Sequence, residues 1–173
     1  MADNTTWCTL AYWELRRRVG PLYAVRQPHV DVFTDQLALG SGLCLSVLQR
    51  AAPPAADSAV LRARRRIGAG VVLARDGAGP AAAAAAAAVW LYNRSRQPVF
   101  VARGGHTVDR VAPGHCLPVS TAAPAASSTA AAEGPRGPRS VQVSFGKGFG
   151  SGRYSRRSIH SCPCWIEILL GVT

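Results

Sequence analysis

The residues best equipped for chemistry lie near the C-terminus, where positions 141–170 read VQVSFGKGFGSGRYSRRSIHSCPCWIEILL. Lys147 stands among Gly146, Gly148 and Gly150, and Arg153, Tyr154, Arg156 and Arg157 follow within ten residues. The lysine is a compact cation with three donors. Each arginine is a planar fork that meets a phosphate or carboxylate at two points. The glycines permit close backbone approach, Phe149 offers an apolar contact, and Tyr154 offers a hydroxyl. Such a set binds an acidic or phosphorylated group through charge-assisted hydrogen bonds. A second basic set lies in LRARRRIG, where Arg62, Arg65 and Arg66 recur at i, i+3 and i+4 and so share one face of a helix. The plain alternative for both sets is a solvated basic loop and a solvated helix face. Arg16–Arg18 forms a third basic run, to which no role is assigned.

Other chemistries find less support. The glycine loop is not G-x-G-x-x-G, there is no G-x-S-x-G elbow, and the four histidines and nine acids show no triad spacing. His160, Cys162 and Cys164 alternate as on one strand face, but they lack the C-x₂₋₄-C pair of a zinc site, so buried structural thiols are the better reading. The expectation is a chain without enzymatic activity, metal or cofactor. Basic surface also attracts nucleic acid, yet no helix-turn-helix, zinc-finger or RNA-motif spacing is present.

The elements that must hold these residues are mostly short and β-like. Val141, Val143 and Phe145 alternate into the glycine loop, and Trp165–Leu170 leaves it as a second apolar strand. Earlier segments read as strands at Cys8–Leu15, Pro21–Val25, His29–Phe33, Leu43–Leu48, Val71–Ala74 and Val89–Tyr92. Asn93–Gln97 reads as a turn and Pro98–Ala102 as the returning strand of a hairpin, while Val108–Val111 and Cys116–Val119 flank a Pro113-Gly114 turn. About ten strands at this spacing predict a β-sandwich. One helix is expected, capped by Asp57 or Ser58 and ended by Gly68, with Val60, Ala63 and Ile67 facing inward. Arg64 falls within that apolar arc and should snorkel or pair with an acid.

The 173 residues fit one domain, 1–173, with low-complexity inserts at about 76–88 and 118–139. Net charge is +11, carried by 19 arginines and one lysine, and part of that excess follows an Ala, Gly, Pro and Arg compositional bias. No apolar run is long enough to span a membrane, and the N-terminus lacks the pattern of a signal peptide. Five scattered cysteines predict reduced thiols.

Four blocks resemble a known family. They are WCTLAYWELRRRVGPLYAV (Trp7–Val25) with the later GLCLSVL, RARRRIGAGV (Arg62–Val71), VWLYNRSRQPVFV (Val89–Val101) with HTVDRVAPGH after it, and FGKGFG…YSRRSIHSCPCWIEILL. The ordered W-C-x-x-A-Y-W-E start and P-C-W-x-E-I end resemble the second Mad-homology domain of Smad proteins. LYAV, WLYNR and SCPCWIEILL resemble its inhibitory subclass. The resemblance implies a mainly β fold, a Smad/forkhead-associated-type β-sandwich with one or few helices and large end loops. It implies binding rather than catalysis, in the cytoplasm and nucleus. The implied partners are phosphorylated type I receptor kinases of the TGF-β/BMP class and receptor-activated or common-mediator Smads, whose signalling complexes the inhibitory subclass blocks. Specific DNA binding by this domain and membrane insertion are not expected. An alternative within the same fold is a nuclear corepressor-type module that binds Smads and not receptors. The implied partner-binding residues are Lys147, Gly148, Phe149, Gly150, Arg153, Tyr154, Arg156 and Arg157 in the loop and Arg62, Arg65 and Arg66 on the helix. Phe149 stands where the family loop usually has Trp. The chain closes at Gly171-Val172-Thr173 without the Ser-x-Ser tail of receptor-activated Smads, which favours the inhibitory subclass.

Overall fold

The computed structural model describes residues 5–35, 42–76, 88–104, 107–120, 139–150 and 152–171. The alanine tract and nearly all of the 118–139 segment lie outside them. In chain order the strands are β1 (Cys8–Glu14), β2 (Arg17–Arg18), β3 (Tyr23–Val25), β4 (His29–Phe33), β5 (Gly42–Cys44), β6 (Val71–Arg75), β7 (Val89–Asn93), β8 (Val99–Ala102), β9 (Val108–Val111), β10 (Cys116–Ser120), β11 (Arg139–Phe145) and β12 (Trp165–Leu170). Two helices, α1 (Leu45–Ala51) and α2 (Ser58–Ile67), lie between β5 and β6, and a 3-10 turn at Ile159–Ser161 precedes β12.

The strands form two sheets. One runs β2-β1-β12-β11-β8-β9, with β3 also paired to β1, and the other runs β10-β7-β6-β4-β5. Among the described residues only β4 and β5 pair in parallel; the remaining pairs are antiparallel. Apolar residues on alternate positions of both sheets face each other, as strand periodicity requires. Leu10, Tyr12, Val143, Ile166 and Ile168 from the first sheet meet Val32, Val71, Leu73 and Leu91 from the second in one buried cluster. The fold is the mainly β sandwich expected from the sequence. No helix among the described residues is long and apolar enough to cross a membrane.

Two readings of local structure are corrected. Leu43–Leu48 is not one strand: β5 ends at Cys44 and Leu45 opens α1. A short continuous apolar run fits either state. The helical turn buries Leu45 and leaves Val47 half-exposed, and Ser46 Oγ donates to Thr34 O at 2.5 Å. Second, β7 and β8 are not a hairpin, because β7 pairs with β6 and β10 while β8 pairs with β9 and β11. Asn93–Gln97 is therefore a crossover between sheets. Buried Asn93 secures it, donating from Nδ2 to Gln97 O at 2.8 Å and to Val111 O at 3.0 Å, while its Oδ1 accepts from Ser95 N and Oγ.

Helix α2 follows its sequence signals closely. Asp57 caps it by accepting from Ala59 N at 2.7 Å, and Gly68 ends it at φ 55°, a conformation that suits glycine. Val60, Ala63 and Ile67 are buried against the core. This docking turns Arg62 and Arg66 toward the loop that follows β11.

Candidate basic cleft

The β11–β12 pair presents the loop. Strand β11 runs beside β12 with Val143 opposite Ile166 and Ser144 opposite Trp165. At the exit of β11, Phe145 N donates to Cys164 O at 3.1 Å and Gly146 N to Pro98 O at 2.9 Å. The next residue, Lys147, has its carbonyl held by the Ser144 hydroxyl at 2.7 Å and approached by the Cys162 thiol at 3.8 Å. These tethers fix the backbone of Lys147. The loop closes on itself through Gly150 N to Arg156 O, 2.9 Å.

Between this loop and α2 lies a small cleft of about 70 Å³. Arg62 and Arg66 of α2 and Lys147 and Arg156 of the loop all line it, and Ser95 and Gln97 of the sheet crossover add polar atoms. Ala63, Ile67 and Phe145 supply its apolar floor. Two segments about 85 positions apart thus bring four cations to one place, and among the described residues no carboxylate lines it. Like charges gathered in this way repel one another, and an anionic ligand relieves that repulsion. The cleft has room for one compact anionic group.

The structure sorts the sequence candidates. Lys147, Arg156, Arg62 and Arg66 converge. Arg65 is exposed on α2 but is not part of the cleft wall, and Arg153 and Arg157 are exposed on the outer loop. Phe149 is a correction: it is not an outward apolar contact but is 5% exposed, packed with Phe100, Ile159, Cys162 and Trp165. An aromatic ring on a tight loop gains more by burial than by exposure, and here it pins the loop to the first sheet. Gly148 makes room for a neighbouring aromatic ring. A Cβ at this position would meet the Tyr154 ring at 2.4 Å. That ring, partly exposed, lies over Gly148 and contacts Phe100 edge-on at 5.4 Å. Gly150 closes the loop neck.

Arg64 was legible as the odd arginine of α2, and the structure gives it an acid. Its Nε and Nη2 donate to Glu14 Oε1 and Oε2 at 2.7 and 2.8 Å. Tyr12 OH donates to the same carboxylate at 2.7 Å, and Gln49 Nε2 donates to Tyr12 OH at 3.0 Å. The hydrogen bond to Glu14 raises the Arg64 pKa, so the guanidinium stays charged. Burial, with Cys164 and Glu14 alongside, raises that of Tyr12. Sequence reasoning missed Glu14 and Tyr12. Glu14 ends the aromatic-rich β1, and only its burial reveals the role.

His160, Cys162 and Cys164 do not share a strand face. His160 is exposed in the 3-10 turn, with its ring edge-on to Trp165 at 5.4 Å. Cys162 and Cys164 are buried ahead of β12. Burial pushes the Cys164 thiol up to about 12 and raises the Cys162 thiol, which the nearby Ser144 hydroxyl and Arg156 partly offset. The alternation broke because the chain curls into a turn before β12 begins.

A sequence profile described as MH2 domain matches residues 5–171. The chain is 39% identical over 179 residues to Mothers against decapentaplegic homolog 6 of Gallus gallus and 35% identical over 182 residues to Mothers against decapentaplegic homolog 7 of Homo sapiens. These matches cover 95% and 96% of this chain but only 38% and 39% of the two relatives. Among solved structures, the Interferon Regulatory Factor 9 IAD domain superposes with a TM-score of 0.58 at 11% identity, over 98% of this chain and 85% of that one. A chain from the crystal structure of STAT2 in complex with IRF9 gives 0.53 at 10% identity, over 99% and 94%. At such identities the likeness shows the fold alone.

Proposed function

The chain belongs to the MH2 domain family, in its inhibitory Smad branch, a family of non-enzymatic protein-interaction domains, and on that premise we propose that the basic cleft receives a phosphorylated or acidic segment of a signalling partner. The partners that fit are activated type I receptor kinases of the TGF-β/BMP class and other Smads, receptor-activated or common-mediator. By holding such a segment the domain keeps it from the Smads that would carry the signal forward, so the outcome is a block by competition.

The observation that carries this reading is the convergence of Arg62, Arg66, Lys147 and Arg156 on one cleft with no acid in its wall among the described residues. A phosphate seated there would accept from several donors at once. Each charge-assisted bond contributes about 1.5–3 kcal/mol where water is excluded, and less at the exposed ends of Arg62 and Arg66.

The test is a pull-down with a phosphorylated type I receptor kinase domain. Joint reversal by Lys147→Glu and Arg156→Glu should abolish capture. Reversal of Arg65 and Arg153, which keeps the same net charge change but spares the cleft, should leave most of it. Equal capture by both double variants would show that bulk charge, not the cleft, attracts the partner. Competition between the receptor domain and a phosphorylated Ser-x-Ser Smad peptide then separates receptor blocking from a purely Smad-directed role.

A further inference from the structure

We infer that Ser155 is a phosphorylation site through which the cleft is shut, an inference that rests on the reading of the cleft given above. Ser155 is exposed and immediately precedes Arg156, whose side chain lines the cleft. Its position is fixed from both sides. On one side, the Tyr154 ring is laid over Gly148 and against Phe100. On the other, the Arg156 carbonyl accepts from Gly150 N at 2.9 Å and closes the loop neck. Ser155 therefore sits on a held segment, one Cα–Cα step of about 3.8 Å from Arg156.

The neighbouring hydroxyls are differently placed. Ser144 is fully buried and donates to Lys147 O. Ser95 is buried, and its hydroxyl donates to Asn93 Oδ1 and Gln97 O. Ser158 caps the 3-10 turn by accepting from His160 N at 3.3 Å. Among these four, only Ser155 combines exposure with a direct chain link to a cleft cation.

The flanking residues also suit modification. Arg153, Arg156 and Arg157 surround Ser155, a setting that an acidic substrate groove of a protein kinase would recognise. In the reaction, the Ser155 oxygen attacks the γ-phosphorus of ATP. An O–P bond forms, the bond to the β-phosphate oxygen breaks, ADP leaves, and the hydroxyl proton passes to the kinase base. The product carries about −1.5 to −2 charges near neutral pH and three strong acceptors. Placed beside Arg156, these acceptors take up the cations of the cleft and present negative charge to an incoming acidic segment.

The experiment uses the whole chain in three forms: unmodified, Ser155→Ala, and carrying phosphoserine installed at 155 by codon suppression. The probe is a synthetic peptide with two phosphoserines in Ser-x-Ser spacing. The unmodified and Ser155→Ala forms should bind alike, and the phosphorylated form at least tenfold more weakly. Phosphorus NMR should place the second ionisation of phosphoserine 155 below its ordinary value near 6, with partial return in the Arg156→Ala background. Incubation of the folded chain with ATP and a kinase selective for basic flanks should modify Ser155 by mass spectrometry. Binding that is indifferent to phosphoserine 155 overturns this inference alone, as does modification that only ever reaches Ser158 or Ser161. If the unmodified chain fails to bind the peptide, the reading of the cleft falls and takes this one with it.

Discussion

Replacing Arg64 with alanine should destabilise the domain by about 3 kcal/mol. The Arg64 fork meets Glu14 at 2.7 and 2.8 Å, and the Glu14 side chain is only 3% exposed. Removing one member of such a pair strands the other charge, which costs about 3–5 kcal/mol in buried settings. The lower end applies because the carboxylate keeps the Tyr12 hydroxyl at 2.7 Å and has Arg17 at 3.9 Å. For a chain of this size each kcal/mol shifts the melting temperature by about 2–4 °C, so the fall should be about 6–12 °C. Urea unfolding followed by tryptophan fluorescence measures the difference. The paired change Glu14→Leu with Arg64→Met should recover most of the loss. It removes both charges, fills the space with apolar atoms, and leaves Tyr12 OH still accepting from Gln49. The reasoning is refuted if Arg64→Ala lies within about 1 kcal/mol of the wild type, or if the paired variant is no more stable than the single one.

Two further outcomes follow from packing and burial. Gly148→Ala places a methyl group 2.4 Å from the Tyr154 ring; because that ring is 37% exposed and can swing out, stability should fall by less than about 1 kcal/mol. Near-ultraviolet circular dichroism should nonetheless record loss of the Tyr154–Phe100 contact, and an unchanged aromatic spectrum would contradict the placement. Burial pushes the Cys8 thiol up to about 12 from an ordinary 9.0. The folded chain then keeps a proton that the unfolded chain releases. The associated stability is complete below pH 9 and is lost as pH rises toward 12, by about 1.4 kcal/mol per pH unit for each such thiol. The urea midpoint between pH 8 and 10.5 should therefore fall less steeply in Cys8→Ala than in the wild type, and coincident slopes would count against the burial of this thiol.

The sequence was most informative where local signals and tertiary needs coincide. Asp57, Gly68 and the Val60, Ala63, Ile67 stripe are each visible within a dozen residues, and α2 formed as read. The loop between Phe145 and Trp165 was also legible, as was the oddity of Arg64. What stayed hidden depends on partners distant along the chain. Nothing in VWLYNRSRQPVFV says that its two strands enter different sheets, because a polar turn between apolar runs looks the same in a hairpin and in a crossover. Phe149 reads as a loop aromatic until Phe100, Ile159 and Trp165 surround it. Likewise, Arg62 and Arg66 could not be separated from Arg65 by helical spacing alone; the approach of the β11–β12 loop separates them.

That separation gives the arginines of one helix different tasks. Arg64 turns inward and fastens α2 to β1 through Glu14, while Arg62 and Arg66 border the cleft. Phe149 does for the loop what Arg64 does for the helix, since its burial holds the segment that carries Lys147 and Arg156. Binding and stability should therefore dissociate according to side. Alanine at Arg62 or Arg66 removes an exposed side chain and should change stability by no more than about 0.5 kcal/mol while weakening capture of a phosphorylated partner. Phe149→Ala empties a site that is 5% exposed and should cost about 3–5 kcal/mol, with capture falling as well because the loop loses its anchor. If Phe149→Ala were as stable as the wild type and lost only binding, the ring would have to be a contact for the partner, and the buried placement of the loop would be wrong.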